Sequence, residues 1–268
     1  FSPRLFSNTQ LSYVRYRYKL KEHMSEEQYL ADVPYGFDQE MNYNSSLRDL
    51  MLQSHFDWIP TAKNHLRYGL SYTYHVFCPE VSNFAVLEDK QSQDIPYTVD
   101  TLLSDGTLHG HEIAVYIEDS YEPCAWLGMN IGVRGSLYAI DGKVYPAIEP
   151  RVGLRALITD KMAFKASYSY TTLFVHMLSN SSVALPTDLW VPVTRDIPPM
   201  HSMVVAAGLS YDILGRIETS VEGYYKRSVN VLEYKEGASF FNSTTSWQDK
   251  VALGDGWSYG VEFLVKNT

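Results

Sequence analysis

Residues Ile148–Tyr170 read IEPRVGLRALITDKMAFKASYSY, and the spacing inside this stretch decides the fold. Ahead of the turn at Thr159–Lys161, Ile148, Val152, Leu154, Ala156 and Ile158 fall on alternate positions, with Arg151, Gly153 and Arg155 between them. Beyond it, Phe164, Ala166, Tyr168 and Tyr170 alternate with Lys165, Ser167 and Ser169. A period of two places each set on its own face of a strand. Two such runs about a very short turn make an antiparallel hairpin with one apolar and one polar face. A long excursion, LFVHMLSNSSVALPTDLWVPVTRDIPPM, then fills Leu173–Met200 before the next strand.

Working outward, the same unit recurs. His65–Phe77 sets Leu66, Tyr68, Leu70, Tyr72, Tyr74 and Val76 against His65, Arg67, Gly69, Ser71, Thr73 and His75. Gln10–Lys19, Leu47–Trp58, His109–Tyr121, Leu127–Tyr138, Ser202–Tyr211, Arg216–Lys226 and Trp257–Lys266 alternate in the same way. That makes about ten long strands. Short turns are expected near 59–64, 122–126, 159–161 and 212–215. Long polar loops are expected over 20–46, 78–108, 173–200 and 229–254, with a medium loop at 139–147 carrying an Asp141–Gly142 turn signal.

A soluble two-sheet sandwich also has period-two strands, but nothing in it sorts loop length by end. Transmembrane barrels do so, with short turns on one side and long loops on the other. Composition agrees. The 21 Tyr, 11 Phe and 5 Trp suit strands and membrane–water boundaries. No run of about 18 apolar residues is present, so a spanning helix is not expected. A net charge of -9 argues against a nucleic-acid partner. Cys78 and Cys124 fall at opposite strand ends, about ten residues at roughly 3.3 Å each apart, and are expected as free thiols.

At IEPRVGLR, SYSYTTLFVHMLSN, LPTDLWVPVT and VEGYYKRSVNVLEYKEG the sequence resembles TonB-dependent outer-membrane receptors of the nutrient-uptake branch. The match is specific from about Ile113 to Val265. The resemblance implies part of an antiparallel transmembrane β-barrel of the 22-strand type, with short periplasmic turns and long extracellular loops. Residues 1–268 read as barrel domain only, with no plug domain within them. The implied function is uptake of a siderophore, vitamin, glycan or peptide across a Gram-negative outer membrane. The implied partners are outer-membrane lipid, the TonB energy-transducing complex acting through a plug, and a surface lipoprotein that delivers substrate. The alternative is a soluble or surface β-sheet module that binds glycan or peptide. No residues suggest an enzyme, a cofactor or a metal site; His109, His111 and Glu112 read as polar residues near a loop.

Two groups of residues are candidates for function. Arg67, Glu112, Glu118, Arg134, Arg151, Arg155 and Glu222 fall on faces expected to point into a barrel, as an internal charge network. In the 173–200 excursion, Trp190, Asp188, Thr187, His176 and Arg195 combine an aromatic platform with hydrogen-bonding groups, between Pro186 and Pro192. Such combinations serve ligand sites. That excursion is expected to form an outward-facing entry site.

Overall fold

A computed structural model describes residues 4–30, 33–90, 97–104, 106–178, 189–213, 215–236 and 246–267. The long strands are β1 (Leu5–Leu30), β2 (Val33–Thr61), β3 (Asn64–Lys90), β5 (Leu108–Cys124), β6 (Leu127–Ile140), β7 (Lys143–Thr159), β8 (Met162–Leu173), β11 (Met200–Ile213), β12 (Ile217–Tyr234) and β13 (Val251–Asn267). They pair antiparallel in chain order, and β4 (Tyr97–Ser104) adds to the far end of β3. β9 (Val175–Leu178) and β10 (Leu189–Pro192) form a separate two-stranded ribbon, and a short 3-10 helix spans Trp247–Lys250. Among the described residues β1 and β13 do not pair, so the ten-stranded wall is open.

Sequential antiparallel pairing puts every second connection at the same end. The four short turns expected from sequence all lie at one end. Backbone hydrogen bonds link them in a row: Glu122 N–H to Lys63 O, Leu157 N–H to Trp126 O and Asp212 N–H to Lys161 O. Cys78 and Cys124 are both free thiols.

Three loop expectations are corrected. Residues 20–46 are not a loop, because β1 and β2 stay paired from Lys19↔Asn44 out to Leu30↔Val33. Residues 78–108 are largely strand too, through the end of β3 and β4. Polar composition signals water on both faces of a ribbon, and the ladder itself has no need of apolar residues. The medium loop at 139–147 is a two-residue turn at the long-loop end, so loop length does not alternate strictly. Asp141 (φ 50°) and Gly142 (φ 71°) both take the left-handed conformation of a tight hairpin turn.

Register confirms the two faces. Across the wall, Leu52, Tyr72, Ile113, Leu137 and Pro146 are neighbours on one face. Leu52, Leu70, Tyr72, Ile113, Val115, Ile131 and Leu137 are 37–58% exposed in the bare chain, as residues facing lipid would be. Aromatic residues bound this band. Trp58 and Trp126 stand near the short turns; towards the loop end Tyr74 stacks on His109 and Tyr170 on His201. Two such rims flanking an apolar band match a bilayer-spanning wall.

The packed apolar groups lie on the other face, under the 173–200 segment. One cluster joins Phe77, Tyr138, Ile140, Tyr145, Phe174 and Val193. A second joins Leu178, Leu189, Val191, Ile197, Leu232 and Trp247, with Tyr18 and Leu20 against it. Residues 173–178 and 189–200 therefore fold as a strap across the inner face at the long-loop end, where an open outward loop was expected. Pro146 and Pro150 account for its departure from the wall. Neither has an N–H to offer β8, and β7–β8 pairing begins only at Arg151↔Ser169. Past Ser169, β8 stays paired to β11 alone as far as Leu173↔Met200, and only then does the chain leave the wall and turn inward.

Candidate functional site

The inner face beneath the strap carries one polar residue from each of five adjacent strands: Asp49, His75, Glu112, Arg134 and Glu149. Alternation puts each on the inner face, and the sheet's curl brings them into a line. His75 Nδ1 lies 2.8 Å from Asp49 Oδ1, and its Nε2 lies 3.8 Å from Glu112 Oε2. Arg134 Nη2 donates to Glu112 Oε1 at 2.6 Å, and its Nε is 3.8 Å from Glu149 Oε2. Glu149 Oε1 then accepts the Thr172 backbone N–H at 2.6 Å. The Glu149 side chain is only 5% exposed. It holds the N–H at the point where β8 gives way to the strap. Charge network and strap are thus joined by one hydrogen bond.

A second group sits closer to the short turns. Arg67 Nη2 donates to Glu118 Oε1 at 2.6 Å, and Asn130 Nδ2 donates to the same oxygen at 3.2 Å. Arg151 Nη1 lies 3.8 Å from Glu118 Oε2. The two side chains meet over Gly132, where a Cβ would stand 3.1 Å from Arg151 Cγ and 3.2 Å from Glu118 Cβ. His55 Nδ1 and Tyr116 OH, 2.8 Å apart, extend this polar surface.

Five of the seven charged residues expected inside are therefore brought into ion pairs. Arg155 and Glu222 lie apart from both groups and line a shallow concavity of about 440 Å³ with Glu122 and Lys165. Sequence reasoning left out Asp49, His75 and Glu149 as network members. The signal was present, since Glu149 is two positions from Arg151, and Asp49 and His75 share the polar face of their strands.

The strap candidates are less uniform. His176 is buried, with Nε2 3.3 Å from Pro198 O. Trp190 is half-buried, opposite Met177 on the ribbon. Arg195 is exposed, and its carbonyl accepts from Lys143 Nζ at 3.3 Å. Asp188 and Thr187 lie outside the described residues. Tyr145 OH donates to Thr194 O and pins the returning arm of the strap to β7. His109 and His111 pair with Tyr74 and Tyr72 on the outer face, whereas Glu112 is on the inner face. Those three residues do not converge. No group of His, Cys, Asp and Glu among the described residues is arranged to hold a metal ion.

No family model and no curated protein matches the chain. Solved structures do. The ferripyoverdine receptor of the Pseudomonas aeruginosa outer membrane matches over 98% of this chain and 36% of its own, with TM-score 0.58 and 14% identity. The RagAB peptide transporter matches over 99% of this chain and 32% of its own, with TM-score 0.58 and 12% identity. The copper transporter OprC matches over 93% and 43%, with TM-score 0.52 and 14% identity. The chain spans about a third of the length of the first two. These proteins are TonB-dependent outer-membrane receptors and transporters. The ten-stranded wall thus has the fold of part of a TonB-dependent receptor barrel.

Proposed function

We propose that residues 1–268 are a length of barrel wall from an outer-membrane receptor that imports a nutrient, such as a siderophore, vitamin, glycan, peptide or metal, with energy delivered through TonB. The observation that carries this reading is the sorting of side chains on one continuous sheet. Apolar residues between aromatic rims lie on one face, and paired charges lie on the other. Lipid suits the first face, and a water-filled or plugged lumen suits the second. A soluble binding module would enclose Leu70, Val115 and Leu137 in a core, and here they stand 49–58% exposed.

In this reading the inner ion pairs fix the lumen lining, and the strap narrows the lumen at the loop end. Trp190, with its sequence neighbours Asp188 and Thr187 and with Arg195, is the part of the strap assigned to ligand contact. His176 packs the ribbon. The unpaired edges of β1 and β13 require further strands, since open edges are not tolerated in lipid. The TonB complex and a substrate-delivering lipoprotein are the proposed partners.

The test uses the full-length protein expressed in a Gram-negative host. It is expected in the outer-membrane fraction, extractable only with detergent, with a gel mobility that changes on heating. Recovery in the soluble fraction without detergent would favour the soluble module. Loss of the TonB complex is expected to abolish energised uptake, and uptake that persists would reject the energy coupling.

A further inference from the structure

We propose that the outer face of the β1–β2 ribbon, just beyond the aromatic rim, binds the phosphate groups of an anionic outer-leaflet lipid. The proposal rests on the membrane reading above. Pairing along β1 and β2 runs Leu11↔Leu52, Tyr13↔Leu50, Arg15↔Arg48, Arg17↔Ser46 and Lys19↔Asn44. These pairs are two residues apart, so all of them share the lipid-facing side. The apolar band ends at Tyr13 and Leu50, which are 63% and 45% exposed. The next positions carry Arg15, Arg48, Arg17 and Lys19, all exposed.

Between Tyr13 and Lys19 no acidic residue falls in this row or opposite it; the first in the same row, Glu40 and Asp38, stand in register with His23 and Ser25, beyond Lys21. Ser46 and Asn44 face Arg17 and Lys19, and Val76 lies beyond Arg48. Asp49, the nearest carboxylate in sequence, points inward to His75. Arg15 and Arg48 stand directly opposite each other, a like-charge pairing that destabilises a ladder. An anion between them reverses that sign. Guanidinium groups take phosphate in two parallel hydrogen bonds. One step of two residues, roughly 7 Å, separates the last apolar pair from the first arginine pair. That is the depth of a lipid headgroup. Free phosphate would gain nothing from Leu11, Leu52 and Tyr13, whereas an acyl chain joined to the phosphate would lie along them.

The experiment compares the full-length receptor with its Arg15→Ser/Lys19→Ser/Arg48→Ser variant. Each is extracted from outer membranes in mild detergent, and the phosphorylated lipid carried with it is measured by mass spectrometry. The wild type is expected to retain the lipid, and the triple variant several-fold less, with heat-dependent mobility unchanged in both. Lys226→Ser/Lys266→Ser, on the inner face, is expected to retain as much as the wild type. Equal lipid on wild type and triple variant overturns the proposal, as does equal loss from the inner-face variant. Displacement of the lipid by millimolar inorganic phosphate alone would make the stripe a free-anion site and overturn the lipid assignment. Absence of the wild-type protein from the outer membrane would instead refute the membrane reading.

Discussion

On β3, Leu70 and Ser71 are adjacent residues of one strand, yet they belong to different solvents. Leu70 sits between Ser54 and Val115 on the outer face. Ser71 sits between Gln53 and Ala114 on the inner one. Their backbones make the same ladder, so the contrast lies in side chains alone. The ladder satisfies every N–H and C=O whatever surrounds it, and alternation then assigns the solvents. The inner face adds a cost that the outer face lacks. Its most buried charges, Glu112, Glu118 and Glu149, leave bulk water and need partners, which Arg134, Arg67 and the Thr172 N–H supply.

The sharpest way to break this contrast is to put the same charge on both faces. Leu70→Arg is expected to cost on the order of 2–4 kcal/mol in a bilayer, and Ser71→Arg less than about 1 kcal/mol. The measurement is reversible urea unfolding of the full-length protein in phospholipid vesicles. Equal costs would mean that both faces meet the same medium, and the wall would not be a membrane wall.

A smaller effect is expected where network and strap join. Glu149→Ala removes the acceptor for the Thr172 N–H and is expected to weaken strap closure by about 2 kcal/mol, the scale of a hydrogen bond to a charged group. Hydrogen exchange at Thr172 and Val193 reports it, because Val193 N–H bonds to Phe174 O within the strap. Both amides are expected to exchange faster in Glu149→Ala and to stay slow in Glu149→Gln, whose side-chain oxygen still accepts. Unchanged exchange in the alanine variant would separate the strap from the charge line.

Most of the wall was legible because period-two patterning is a local property, repeated in every strand. The inner positions of Arg67, Glu112, Glu118, Arg134 and Arg151 followed from parity alone. The strap's inward fold was not legible. It depends on contacts such as Phe174 with Tyr138 and Leu178 with Trp247, whose sequence separations no periodicity encodes. The prolines that end the β7–β8 ladder were visible as residues, but their effect needs the register of the neighbouring strand. The extended β1–β2 ribbon was missed because polar sequence indicates water, and a hydrogen-bonded ribbon in water looks like a loop.

The smallest expected effect sets strap against wall by pH. His176 is buried in β9, and burial holds its imidazole below the ordinary value of 6.5, more strongly than the hydrogen bond to Pro198 O raises it. Above that range the ring is neutral whether the strap is closed or open, and pH has no effect. As pH falls through about 6.5, the open strap takes up a proton that the closed strap refuses. Closure therefore loses stability on the acid side. Amide protection of Val193 and Thr194, which bond to Phe174 O and Ile197 O, is expected to fall between about pH 7 and pH 5. Val205, paired within the wall, is expected to hold its protection. His176→Gln cannot take up the proton, so its strap protection is expected to be flat over that range. A slope that survives in His176→Gln would assign the acid sensitivity to another group, and a slope shared by Val205 would show that strap and wall open together.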